Sequence, residues 1–198
     1  MLPATLKLQH PLTQWRPPSL RRFRWLWQTT LTVAMVMGFS LGLYADVQSL
    51  GFTLGKTDYK TVTQQAPSLK DGGINKYSNG KMLKGMSKQF KIQGLKDTLF
   101  IFDKQEKLAV IMMTFNKHQF DTVFGYLKSK YALQSKRIPF VGSKRAVFKK
   151  EDVKIKMNAP HLSFDMDVMY LTDKFDRDYK RIQRLEQRQK NKREQSQF

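Results

Sequence analysis

The strongest constraint on the fold of this chain lies at residues 153–170, where two short segments alternate between apolar and polar side chains. Apolar residues occupy every second position of VKIKM at 153–157, and the same period runs through LSFDMDVMY at 162–170. A period of two is typical of a β-strand with one buried face. Because only the four residues NAPH separate the segments, we expect an antiparallel hairpin.

The alternation also predicts a register for this hairpin. Joining residue 157 to residue 162 aligns three apolar pairs: Met157–Leu162, Ile155–Phe164 and Val153–Met166. On the other face, Lys154 then lies opposite Asp165. A shift by one residue would bring polar side chains into the apolar face, so we expect this register to be the stable one.

A second hairpin is predicted where two apolar runs flank the polar turn KQEK at 104–107. Pairing Asp103 with Leu108 aligns three further pairs: Phe102–Ala109, Ile101–Val110 and Phe100–Ile111. Both faces of this hairpin are apolar, so the second face needs a cover. Either the C-terminal helix or a long loop covers it, or it forms a groove for a partner protein or an acyl chain. The residues assigned to that groove are Leu99, Ile101, Val110 and Met112.

Two amphipathic helices are predicted before these strands. The first spans about residues 57–66, with Thr57 as its N-cap, and the second spans about 116–131, with Asn116 as its cap. Residues 68–80 are predicted to form a loop, and further strands are predicted near 81–92 and after Pro139. The sequence therefore predicts an α+β fold with a tandem α-β-β-β arrangement. Its antiparallel sheet would have five or six strands, with two helices on one face.

The first 45 residues predict a membrane-targeting segment. They contain five basic residues and no acidic residue, and the 21 residues from Trp25 to Ala45 carry no charge. This pattern is typical of a secretory signal peptide cleaved after Ala45, or of an uncleaved hydrophobic helix that anchors the chain. A buried core helix and an organelle presequence are the remaining alternatives. We expect a bacterial protein whose α+β domain, residues 46–172, lies in the periplasm or faces it from the inner membrane.

The chain is strongly basic, with a formal net charge of +20 and no cysteine. Such a charge favours anionic partners, among them lipid surfaces and nucleic acid. Residues 173–198 are predicted to form a basic helix that frays into a disordered tail. Its cationic side chains are candidates for contact with an anionic membrane surface or a partner: Lys180, Arg181, Arg184 and Arg188.

The sequence gives little support for three kinds of chemistry: nucleotide binding, hydrolysis and metal binding. GFTLGKT at 51–57 ends like a phosphate loop, but only three residues separate its glycines where four are needed, so no nucleotide cofactor is predicted. A hydrolase would use His161 with Asp165 or Asp167, which share one strand parity with Ser163. Alternate strand residues lie roughly 6.5–7 Å apart, however, which is too far for a nucleophile and its base. No spacing of His or carboxylate residues predicts a metal site.

Three stretches carry a resemblance: LGFTLGKT before the first helix, FIFDKQEKLAVIMMTF in the hairpin, and KY at the end of the second helix. Together they resemble small exported α+β domains of gram-negative bacteria. The layout is also similar to that of BamE-like domains, which place two helices on an antiparallel sheet, although the lipid-bearing cysteine of that family is absent here. The sequence favours a non-enzymatic envelope protein that binds a protein or lipid partner. A hydrolase and a basic nucleic-acid-binding protein are the alternatives.

Overall fold

A computed structural model describes residues 46–198, which fall within one compact unit. Three α-helices are present in this part of the chain: α1 (Tyr59–Gln65), α2 (Phe120–Lys130) and α3 (Asp173–Gln195). A small hairpin precedes them, formed by β1 (Gln48–Ser49) and β2 (Phe52–Thr53). The remaining strands are β3 (Lys70–Ile74), β4 (Asn79–Met86), β5 (Leu95–Asp103), β6 (Leu108–Asn116), β7 (Ala132–Arg137), β8 (Lys144–Lys150), β9 (Val153–Ala159) and β10 (Asp165–Thr172). The fold is α+β, as predicted.

Eight strands form one antiparallel sheet in the order β3-β4-β5-β6-β10-β9-β8-β7. The sheet consists of two four-stranded meanders, β3–β6 and β7–β10, each preceded by a helix. The last strand of each meander pairs with the other, so β6 and β10 join the halves at the centre. The tandem layout therefore has four strands in each half, where three were predicted.

The two strands that the sequence did not predict are the edges of the sheet. β3 has the sequence KDGGI and lies in the segment predicted to be a loop, and β7 has the sequence ALQSKR. Most of their residues are exposed, so neither strand carries the apolar alternation of a buried one. Their ladder bonds to β4 and β8 provide the stabilisation instead.

One face of the sheet carries the larger core, and α1 and α2 pack on it. Val62 of α1 and Phe120 of α2 are buried there with strand residues such as Phe100. The helix caps differ from those predicted. Asp58, not Thr57, caps α1, since its carboxylate accepts a hydrogen bond from Thr61 N at 2.8 Å. A 3₁₀ turn over Lys117–Gln119 separates Asn116 from α2, so Asn116 does not cap that helix.

The predicted register of the 153–170 hairpin is wrong by six residues. Met157 pairs with Val168 and Ile155 with Tyr170, because β9 continues to Ala159 and the loop spans residues 160–164. The shift is even, so the apolar faces still coincide. Lys154 consequently lies opposite Leu171 rather than Asp165.

The 98–115 hairpin is closer to its prediction. Two of its expected pairs are present, Phe100–Ile111 and Ile101–Val110. Phe102 instead pairs with Leu108, because the register shifts between Ile101 and Phe102 and leaves Ala109 out of the ladder.

The predicted targeting segment, residues 1–45, lies outside the described residues. From residue 46 to the C-terminus, none of the helices combines the length and apolar character needed to cross a bilayer.

Candidate functional site

Helix α3 covers part of the second sheet face. It begins directly after β10 and crosses the strands towards the turn between β3 and β4, where Tyr179 contacts Tyr77 with ring centroids 4.6 Å apart. Phe175 on its underside packs against the sheet in a second, smaller cluster of buried residues: Ile101, Ala109, Val110 and Leu171. The hypothesis that the C-terminal helix covers the apolar hairpin is therefore confirmed for Ile101 and Val110, which are buried.

A buried carboxylate links α3 to the sheet. Asp176 is 1% exposed, and its oxygens accept hydrogen bonds from Lys156 at 2.6 Å, from Lys154 at 2.9 Å and from Lys180 at 2.8 Å. Burial opposes ionisation of this carboxyl, but the three ammonium groups outweigh it and hold the pKa of Asp176 well below its usual range. The position of α3 on the sheet is thus specified by charge as well as by Phe175.

The rest of this face extends beyond α3. Directly paired residues of all eight strands form one row here, which we call the open row: Lys70, Lys84, Leu99, Met112, Met169, Lys156, Val147 and Ser135. Its centre is apolar, since Leu99, Met112 and Met169 lie side by side and are half-buried, with Leu99 and Met169 packed against the edge of the cluster under α3. A depression of about 610 Å³ opens beside Leu99 and Met112.

Basic side chains border this apolar centre. Lys70 and Lys84 continue the open row on β3 and β4, and Lys88 lines the same depression. None of these three forms an ion pair with any residue between 46 and 198. Asp97 is the acidic residue of the depression. Lys180 and Arg184 lie one helical turn apart on α3 and line a depression formed by residues of that helix, and Lys180 pairs with Asp176.

The residues predicted to bind a partner therefore separate into groups. Leu99 and Met112 lie in the open row, whereas Ile101 and Val110 are buried under α3. Arg181 lies elsewhere, where it lines a cleft of about 440 Å³ and pairs with Asp178 at 3.1 Å. Arg184 and Arg188 are exposed, on a helix that continues to Gln195 rather than fraying early.

Asp103 stabilises the turn between β5 and β6 through its side chain. Its carboxylate accepts hydrogen bonds from Gln105 N at 3.0 Å, from Lys107 N at 2.9 Å and from Lys174 Nζ at 3.0 Å. Burial raises the pKa of Asp103, but these donors outweigh that effect and lower it overall. The residue fixes the β5–β6 turn and contacts α3.

The GFTLGKT segment does not present free amides to a phosphate. Gly55 N donates to Leu108 O at 2.7 Å, and Thr57 N donates to Thr53 O at 3.1 Å. Lys56 forms an ion pair with Asp46 at 2.8 Å. A phosphate-binding loop needs such groups free to cradle its ligand, so this segment is a connection to α1.

The suggested hydrolase residues are not brought together. His161 lies exposed in the 160–164 loop, whereas Asp167 lies in β10 and accepts a hydrogen bond from Thr114 Oγ1 at 2.9 Å. Asp165 pairs with Lys96. The hydrogen bonds of the described residues link neither carboxylate to the imidazole of His161.

Two residues of this surface were not predicted from the sequence. Met169 belongs to the apolar centre of the open row, and it lies beside Met112 because β10 pairs with β6, a pairing that the sequence did not predict. The sequence pattern did not single out Asp176, which follows Phe175 and is buried with it on the inner side of α3.

Comparisons of the chain with known proteins identify no relative. No protein-family model, curated protein or solved structure matches it.

Proposed function

We propose that this chain is an exported, non-catalytic binding module whose open row accepts an acidic, amphipathic helix of a partner protein. The observation that carries the proposal is the half-buried apolar centre of Leu99, Met112 and Met169, adjacent to the part of the same face that α3 covers. Export is part of the proposal, and the pattern of residues 1–45 supports it.

The dimensions of the face favour a helix. Packed helices lie about 8–10 Å apart, and successive rows of a sheet face lie roughly 6.5–7 Å apart. A helix beside α3 would therefore lie over the open row and the row beyond it, which contains Met86, Asp97, Thr114 and Asp167. Ligand sites for small apolar molecules usually enclose most of the ligand surface, and this face is open. An acyl chain laid on it would stay largely in water.

The charges around the open row favour an acidic partner. Lys70, Lys84 and Lys88 border one end of the apolar centre, and none of the three forms an ion pair with any residue between 46 and 198. An amphipathic helix with Leu-type residues on one face and Glu or Asp beside them complements both features. Charge of this kind mainly sets orientation and association rate, whereas the apolar contact provides affinity.

Site-specific photo-crosslinking in the native host tests the proposal. A photoreactive phenylalanine derivative replaces Met112 or Met169 in the full chain, and the matched control carries it at Tyr126, which is 67% exposed on α2. We expect a protein adduct at both open-row positions and none at residue 126. Mass spectrometry of the adduct should map the contact to an amphipathic segment rich in Glu or Asp.

Peptide binding then provides the quantitative test. A synthetic peptide of the mapped segment should bind residues 46–198, and Met112→Glu should weaken binding at least tenfold. Lys84→Glu should weaken it several-fold, and Tyr126→Glu should leave it unchanged. Adducts to lipid alone, the absence of adducts at residues 112 and 169, or a mapped segment that is basic would each contradict the proposal.

A further inference from the structure

A second surface of this protein exposes large apolar side chains, at the end of the sheet where β7 meets β8 and β9 meets β10. The β7–β8 loop spans residues 138–143 and the β9–β10 loop spans residues 160–164. Four side chains in them are almost fully or largely exposed: Phe140 at 104%, Val141 at 67%, Leu162 at 91% and Phe164 at 90%. Single exposed apolar residues are ordinary on proteins, but four on two adjacent loops form a patch.

The two loops are neighbours and are held by hydrogen bonds. His161 N donates to Ser143 Oγ at 3.2 Å, which joins the loops directly. Lys117 holds the 160–164 loop from the turn after β6, because its Nζ donates to His161 O at 2.8 Å and its N donates to Phe164 O at 2.8 Å. The apolar side chains are therefore presented by a defined scaffold.

Basic residues bracket the tip of the β7–β8 loop. The segment KRIPFVGSKR at 136–145 has two cationic residues on each side of its apolar part and no acidic residue. Lys136, Arg137 and Arg145 are exposed. The nearby acids are partly neutralised, since Asp165 pairs with Lys96 and Asp121 lies 3.9 Å from Lys144. Apolar tips ringed by cations match an anionic membrane, whose phosphates lie above its acyl chains.

We propose that the 138–143 and 160–164 loops insert their apolar tips into the interface of an anionic lipid bilayer. Phe140, Leu162 and Phe164 enter the boundary between headgroups and acyl chains, while Lys136, Arg137 and Arg145 contact lipid phosphates. This surface lies at the end of the sheet and is independent of the open row. A membrane suits it better than a protein, because the tips protrude, whereas specific protein interfaces combine a larger packed area with pockets.

Tryptophan fluorescence gives a direct test, because all three tryptophans lie within residues 1–27 and none lies within residues 46–198. Residues 46–198 form a compact unit with its own core, so they can be tested without the apolar N-terminal segment. Phe140→Trp and Phe164→Trp introduce single reporters at exposed positions, and Tyr126→Trp on α2 is the matched control. The probes are vesicles of phosphatidylcholine alone and vesicles that contain 30% phosphatidylglycerol.

We expect the reporters at 140 and 164 to shift to shorter wavelength with phosphatidylglycerol vesicles and to be quenched by brominated acyl chains. The reporter at 126 should do neither. In flotation assays, Phe140→Ser combined with Phe164→Ser should lower the partition coefficient at least tenfold. Lys136→Glu combined with Arg137→Glu should remove the preference for phosphatidylglycerol.

Three results would overturn the proposal: no binding to either vesicle, binding without a shift at 140 and 164, or binding that the double serine variant retains. The second result would place contact on another basic surface. Met112→Glu should leave vesicle binding unchanged, and the double serine variant should leave binding of the helix peptide unchanged. The failure of one proposal is therefore distinguishable from the failure of the other.

Discussion

The ammonium group of Lys156 lies 2.6 Å from a carboxylate oxygen of Asp176, and this contact joins the open row to the helix beside it. Lys156 is a member of that row on β9, and Asp176 is buried on the underside of α3. The same carboxylate binds Lys154 and Lys180. An ionic contact thus lies at the boundary between the part of the sheet face under α3 and the open row.

Replacement of Asp176 by Asn should destabilise the fold. The substitution removes the charge that three lysines share and leaves them close together without a counter-ion, so we expect a loss of about 2–3 kcal/mol in the free energy of unfolding. Urea denaturation of residues 46–198, followed by far-ultraviolet circular dichroism, measures it. Asp178→Asn is the matched control, because the Asp178–Arg181 pair is exposed and should contribute less than about 1 kcal/mol. Equal losses in the two variants would contradict the conclusion that Asp176 stabilises the fold more than Asp178.

Stability should also decrease in acid through Asp176. The pKa of this group is lowered in the folded state from the value of 3.8 that the unfolded chain has, so the unfolded state binds its proton first as the pH falls. Its contribution is fully present above about pH 5 and is lost progressively as the pH falls below 3.8 towards the lower folded pKa. The stability difference between wild type and Asp176→Asn should therefore shrink between pH 6 and pH 2.5. A stability difference that stays constant across that range would contradict the lowered pKa of Asp176.

The two halves of the second sheet face should respond differently to truncation of their side chains. Val110 is fully buried under α3, so Val110→Ala should cost about 2 kcal/mol of unfolding free energy. Met112 is only half-buried in the open row, and Met112→Ala should cost less than about 1 kcal/mol. Urea titration of both variants measures the contrast. Similar losses would mean that the open row is packed as tightly as the covered half.

Much of the fold follows from the sequence because its central strands are buried. The 98–115 hairpin has apolar residues on both faces, and two of its pairs were predicted correctly, Phe100–Ile111 and Ile101–Val110. The edge strands β3 and β7 were missed for the opposite reason. Their backbones join the sheet while their side chains stay in water, so no periodic pattern marks them.

The candidate surfaces were only partly predictable. Leu99 and Met112 were identified because both hairpin faces are apolar, but the sequence could not separate them from Ile101 and Val110. That separation depends on where α3 crosses the sheet, which Phe175 and Asp176 determine through contacts between residues distant in sequence.

The exposed 160–164 loop was not predicted, because the predicted register of the 153–170 hairpin is wrong. Leu162 and Phe164 continue the alternation of a strand, so the sequence places them in the core. Pro160 directly follows the end of β9, and the chain forms a loop before β10 begins at Asp165. Alternation alone cannot distinguish a buried strand residue from an apolar residue kept at a loop tip.

Two glycines provide a last, matched prediction about backbone packing. A Cβ atom at Gly80 would lie 2.0 Å from the carbonyl oxygen of Phe102, a backbone atom that cannot move without disturbing β5. Gly80→Ala should therefore cost about 3 kcal/mol of unfolding free energy.

Gly125 is exposed within α2, and a Cβ there meets no atom within 4 Å. Gly125→Ala should instead stabilise by about 0.5–1 kcal/mol, because alanine loses less backbone entropy in a helix. Thermal and urea unfolding should show shifts of opposite sign, and a neutral Gly80→Ala would mean that β4 and β5 lie further apart than described.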